Sequence, residues 1–73
     1  MNRLPPSTLP SVDESAARLR QAGWSAGDVQ LFSGAWLVSA TNGENVIHGR
    51  GDNQAQAWWR AVEAARAVGM LRG

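Results

Sequence analysis

His48 and the run Gly49-Arg50-Gly51-Asp52-Asn53 that follows it are the residues whose types and spacing come nearest to chemistry. An adhesion ligand of the GRGD type needs export and a protruding loop, and no export signal precedes it. A phosphate cradle of the dinucleotide type needs a third glycine where Gln54 stands, and a P-loop needs a lysine. The chain has no lysine. A strand-to-helix joint requires freely turning backbone at Gly49 and Gly51 and a side-chain cap from Asp52 or Asn53. All four residues are present, so the run is expected to be a joint. His48, the one imidazole, would need a nucleophile or a carboxylate within hydrogen-bond reach to act as a general base. None is expected beside it. Asp13 and Glu14 suit a helix start, and the other carboxylates are scattered. With no cysteine and one histidine, no metal set or disulfide framework is available. The expectation is a non-enzyme with no catalytic residues, no cofactor and no evident small-molecule substrate.

Two further sets invite binding rather than catalysis. Four tryptophans could stack on bases. Periodicity places Trp24, Trp36 and Trp58 in a core, and leaves Trp59 at the edge of a helical stripe near Arg66. Arg18, Arg20, Arg60 and Arg66 are the candidate phosphate contacts of a nucleic-acid binder. Seven arginines meet six acids, for a net charge of +1, and so balanced a charge steers no polyanion. Nucleic acid is therefore the alternative partner.

The elements that position these residues follow from period and caps. Seventy-three residues allow one domain, with a small core and marginal stability. Residues 1–10 hold all three prolines and read as a flexible arm; residues 11–73 are the domain. Ser11 and Glu14 have capping-box spacing. Val12, Ala16 and Leu19 form one helical stripe, Gly23 supplies a left-handed stop, and Trp24 closes over Leu19. The period then changes to two. Asn42-Gly43 is a hairpin signal, and Ser33-Gly34 is read as a second two-residue turn. These turns put Val38 opposite Ile47, Ala40 opposite Asn45 and Leu31 opposite Trp36. One face collects Val29, Leu31, Trp36, Val38, Ala40 and Ile47. The other collects Asp28, Gln30, Phe32, Leu37, Ser39, Thr41, Glu44, Val46 and His48. A final helix, capped by Asn53 or Asp52, presents Ala55, Trp58, Val62, Ala65 and Gly69, and frays after Val68.

The fold class is thus α+β, an α-β-β-β-α two-layer sandwich with a three-stranded antiparallel meander and both helices on one face. This order, with Gly49-Arg50-Gly51 leading into Ala57-Trp58-Trp59-Arg60-Ala61, resembles the double-stranded-RNA-binding domain over residues 11–71. That family grips RNA through lysines at the start of its last helix and a histidine in its first hairpin loop. Here the matching helix start is Asp52 to Gln56, acidic or neutral throughout, and the matching loop is Ser33-Gly34. The resemblance implies the fold and not the RNA contact. The stretch from Ala35 to Gly51, followed by the alanine-rich helix, is also similar to small α-β-α sandwich domains of phage and prophage proteins. Some bacterial antitoxins share a similar strand-to-helix passage, which points to protein partners.

Phe32, Leu37 and Val46 gather on the face that no helix covers. With His48 and Trp59 they form the candidate protein interface, for self-association or for another chain. No apolar run reaches the ~20 residues of a membrane span, and a cytoplasmic location is expected.

Overall fold

The computed structural model describes residues 9–69, in the order α1 (Val12–Gln21), β1 (Ser25–Gln30), β2 (Trp36–Thr41), β3 (Val46–Gly51) and α2 (Gln54–Ala67). The three strands form one antiparallel sheet in the order β1-β2-β3. Most of the expected proline-rich arm lies outside the described residues; its last two, Leu9 and Pro10, are half-buried.

Each helix starts where its side chains can satisfy free backbone groups. Ser11 Oγ accepts from the Glu14 backbone N–H at 3.1 Å, and the Ser11 N–H donates to Glu14 Oε1 at 2.9 Å. This is the expected capping box. α1 closes on Gly23, whose φ is +92°. There the Trp24 N–H donates to the Leu19 carbonyl at 2.9 Å and the Gly23 N–H to the Arg20 carbonyl at 3.0 Å. These paired bonds turn Trp24 inward over Leu19, and both side chains are buried. α2 is capped by Asn53, whose Oδ1 accepts from the Gln56 N–H at 2.8 Å. The Gln56 side chain reaches one residue further back and accepts from the Asp52 N–H at 2.7 Å.

The core lies between the sheet and the helices. Val38, Ala40 and Ile47 from the strands meet Leu19, Trp24, Trp58 and Val62, with Ala57, Ala61 and Ala65 between them. α2 runs along β3 and β2, while α1 packs on α2 and touches β1. Along β3, exposed and buried residues alternate strictly from Val46 to Gly51. One sheet face is therefore roofed by both helices and the other is open. Trp36 and Ile47 share the roofed face, since Ala40 pairs with Ile47 and Trp36 with Gly51.

Both hairpins differ from their expected form, with unequal consequences. At the second, Gly43 alone takes a positive φ, +94°, so Asn42-Gly43 is not a type I′ turn. Asn42 Oδ1 instead accepts from the Glu44 and Asn45 N–H groups at 3.0 and 2.7 Å. The loop becomes four residues long, and Val38 faces Gly49 rather than Ile47. The pairing moves by two residues, and parity, hence every facing, survives. At the first hairpin, Gly34 has φ +92° and Ser33 has no positive φ, so Ser33-Gly34 cannot be a two-residue turn of the primed kind. The Gly34 N–H donates to the Leu31 carbonyl at 2.8 Å and the Leu31 N–H to the Ala35 carbonyl at 2.7 Å. This is a turn closed by a left-handed glycine, with Phe32, Ser33 and Gly34 as a three-residue loop. Pairing moves by one residue, and β1 is inverted. Gln30, not Leu31, lies opposite Trp36. Val29 goes to the open face, and Asp28 and Gln30 go to the helix side.

Gly49 and Gly51 also take a different role. They are strand residues of β3 without positive φ, and the joint proper is Asp52-Asn53. Their lack of a side chain lets α2 approach. A Cβ on Gly51 would stand 2.7 Å from the Ala57 nitrogen and 2.8 Å from Gln56 Cβ. One on Gly49 would overlap the Ala57 carbonyl oxygen and the Ala61 nitrogen. Ala57, which the expected stripe leaves out, is fully buried for this reason, whereas Val68 is exposed.

Candidate interaction surface

The pairing of three strands arranges the open face as three rows. Val29, Leu37 and Arg50 make the first; Gly27, Ser39 and His48 the second; Ser25, Thr41 and Val46 the third. Rows two apart are separated by about 13 Å along a strand. Leu37 and Val46 therefore share the face but not a patch, and Ser39 and His48 lie between them. Phe32 belongs to neither strand. It stands on the hairpin loop beyond the first row, wholly exposed at 112% of its reference area. The five residues of the expected interface are thus divided. Phe32 is on the loop and Leu37 in the row nearest it, His48 and Val46 lie progressively further away, and Trp59 sits on α2, half-buried against the core. The Arg66 guanidinium carbon lies 5.8 Å from the Trp59 ring centroid, within cation–π range.

The end of the face near the hairpin holds more than sequence reading placed there. Val29 joins it, 52% exposed. Arg50 stands in the same row as Val29 and Leu37. Around the corner, a groove of about 660 Å³ runs between the hairpin loop and the start of α2, lined by Ser33, Gly34, Arg50, Asp52, Gln56 and Arg60, among others. No ion pair engages Arg50, Arg60 or Asp52 among the described residues. The signal for Val29 was the loop length, since a left-handed glycine as the third loop residue inverts β1; Arg50 follows from alternation with Val46 and His48 along β3.

The four arginines of the nucleic-acid alternative are not assembled into one surface. Arg18 and Arg20 are exposed on α1, about 200° apart around its axis. On α2, Arg60 lines the hairpin groove while Arg66 lies over Trp59. His48 does gain a partner: its Nδ1 and Ser39 Oγ are hydrogen-bonded at 2.9 Å. A serine and a histidine at that distance have the separation of a nucleophile and its base. The pair lies in the middle row of an open sheet face, outside both grooves, and no hydrogen bond orients the other ring nitrogen among the described residues. Among those residues, no group of three or more His, Cys, Asp or Glu side chains could hold a metal ion, and no helix is long and apolar enough to cross a membrane.

A second, more apolar groove of about 800 Å³ lies where the two helices begin, over Trp36, with Leu9, Pro10, Val12 and Ala55 on its walls. Its helix starts are already capped by Ser11 and Asn53.

Asp28 ties β1 to α2. Its Oδ2 accepts from Gln54 Nε2 at 2.8 Å and from the Trp58 indole Nε1 at 3.0 Å. These bonds, the Gln54 one first, hold the carboxyl below its ordinary range, with burial opposing them weakly. The one-residue inversion of β1 that sends Val29 outward is what sends Asp28 to this position.

Comparison with known proteins gives no relatives: no family model, no curated protein and no solved structure matches the chain.

Proposed function

We propose that the chain is a non-enzymatic protein-interaction module that meets its partner through the hairpin end of the open sheet face. The observation that carries this reading is Phe32, a fully exposed aromatic ring on a closed turn at the end of the face that also exposes Val29. A large apolar side chain held outside a rigid turn gains nothing for folding. It has the character of the aromatic anchors that dominate binding energy at interfaces. Arg50, which lines a groove with the same turn's Ser33 and Gly34, belongs to another residue type enriched at such anchors.

Site-specific photocrosslinking from position 32 in growing cells tests the reading, with position 63 on the exposed side of α2 as control. The expected outcome is a discrete protein adduct from position 32 that disappears when Leu37→Asp is added. Adducts equal in number and kind from both positions remove the proposal.

One observation favours a second reading, nucleic-acid binding: Arg50 and Arg60 line one groove beside an exposed ring. Adducts from position 32 that are sensitive to nuclease, with affinity falling steeply as salt rises, would decide for it.

A further inference from the structure

Building on that reading, we infer that the partner seated on this surface is a second copy of the same chain, related by a two-fold axis, each Phe32 entering the other copy's Arg50–Arg60 groove. Three observations converge on this arrangement.

The first is shape. The groove's wall is formed by Ser33, Gly34 and Ala35, the same turn that carries Phe32. Projection and hollow therefore lie side by side on one patch. A two-fold contact presents a patch to itself, so a projection beside a matching hollow is self-complementary. The groove encloses about 660 Å³, ample room for one benzyl side chain.

The second is charge. The groove bears both signs, Arg50 and Arg60 against Asp52, and none is engaged in an ion pair among the described residues. A partner of a single sign would set one of these groups against a like charge. A second copy in two-fold register brings Arg50 of one chain to Asp52 of the other, and the reverse, in two equivalent contacts. The net charge of +1 on each copy adds little repulsion.

The third is chemistry at the ring. A guanidinium group stacks on an aromatic face and loses little hydration in doing so. Arg50 and Arg60 flank the space the ring would enter. Val29 and Leu37, exposed and half-exposed beside the hairpin, form the apolar rim.

The contact is small. A buried phenylalanine accounts for about 150–250 Å², and two of them with their rims stay near or below about 1,200 Å², the range of transient complexes. The association is therefore of the transient, reversible kind.

Sedimentation velocity of the full chain, from about 10 μM to about 1 mM, reads this directly. Wild-type protein is expected to move from monomer to dimer across the series. Phe32→Asp should remain monomeric throughout, a loss of at least about 30-fold in affinity. Its far-UV circular dichroism and urea midpoint should be unchanged, because the side chain makes no core contact. Arg50→Glu and Asp52→Arg alone should each weaken the dimer about tenfold, and the two together should restore it. A wild type that stays monomeric at the highest concentration overturns the inference. So does a Phe32→Asp variant that dimerises normally, or a charge swap that restores nothing. Should photocrosslinks from position 32 reach only other proteins while the chain sediments as a monomer, the interaction reading stands and the second copy is replaced by a different partner.

Discussion

Replacing Asp28 by alanine removes one acceptor from two donors on α2. The Trp58 indole N–H, 3.0 Å away, belongs to a side chain only 7% exposed, and without its acceptor it keeps a desolvation penalty of about 1–2 kcal/mol. The Gln54 amide at 2.8 Å is exposed, so screening by water reduces its share to about 0.5 kcal/mol. The expected loss is about 2 kcal/mol at pH 7, equivalent to about 10 °C in the unfolding midpoint of a domain this size. Trp58→Phe keeps an aromatic ring in the core and removes the donor, and a double-mutant cycle with Asp28→Ala, which cancels the volume change common to both backgrounds, should give a coupling of about 1 kcal/mol. The acid dependence has a definite sign. The folded-state pKa is lowered, so the contribution is complete above the unfolded carboxyl value near 4 and fades as pH falls through the folded value. The gap between wild type and Asp28→Ala should accordingly narrow as pH falls through the lowered folded value. Urea unfolding followed by tryptophan fluorescence at pH 7 and at acid pH measures both. A difference below about 0.5 kcal/mol at pH 7, or one that persists undiminished in acid, would refute the reasoning.

Further outcomes are expected elsewhere in the fold. Gly49→Ala forces a methyl group into the Ala57–Ala61 backbone of α2 and should cost at least about 3 kcal/mol; a calorimetric midpoint within 3 °C of wild type would contradict that seating. Ser15 is fully buried and its hydroxyl has no hydrogen-bond partner among the described residues, so Ser15→Ala should leave stability unchanged or raise it by about 1 kcal/mol, read from the urea midpoint. Ser11→Ala deletes one arm of the capping box and should destabilise by about 1 kcal/mol, with a matching fall in midpoint. Gly34→Val meets no neighbouring atom but must adopt φ near +92°; it should cost about 1–2 kcal/mol and, by loosening the turn that holds Phe32, broaden the amide resonances of residues 31–35.

Element order, both helix caps and the identity of the core were legible because each rests on local chemistry. Ser11 and Glu14 lie three residues apart, Gly23 precedes Trp24, and Val38 and Ala40 take alternate positions of one strand as Ile47 does between Val46 and His48. None of these depends on a distant residue. The first hairpin was not legible in the same way. Ser33-Gly34 fits a two-residue loop and Phe32-Ser33-Gly34 fits a three-residue loop, and the choice falls to which residue takes the positive φ. That one-residue difference carried Val29 to the open face and Asp28 to the helix side, which the expected sorting of faces had reversed. The second hairpin was also misjudged, by two residues, and the error left no trace in the facings because side chains alternate with period two. Ala57 escaped notice because its burial depends on two glycines in a different element.

The absence of side chains at Gly49 and Gly51 has a mechanical consequence. With backbone against backbone, α2 can neither roll nor slide over β3 without a collision, so strand and helix move as a single plate. On the other side of the molecule, α1 and β1 meet the plate through side chains, Leu19 on α1 and the Asp28 tether on β1. A binding event at Phe32 would then be felt as tension on that tether, and the indole of Trp58 is a built-in reporter of it.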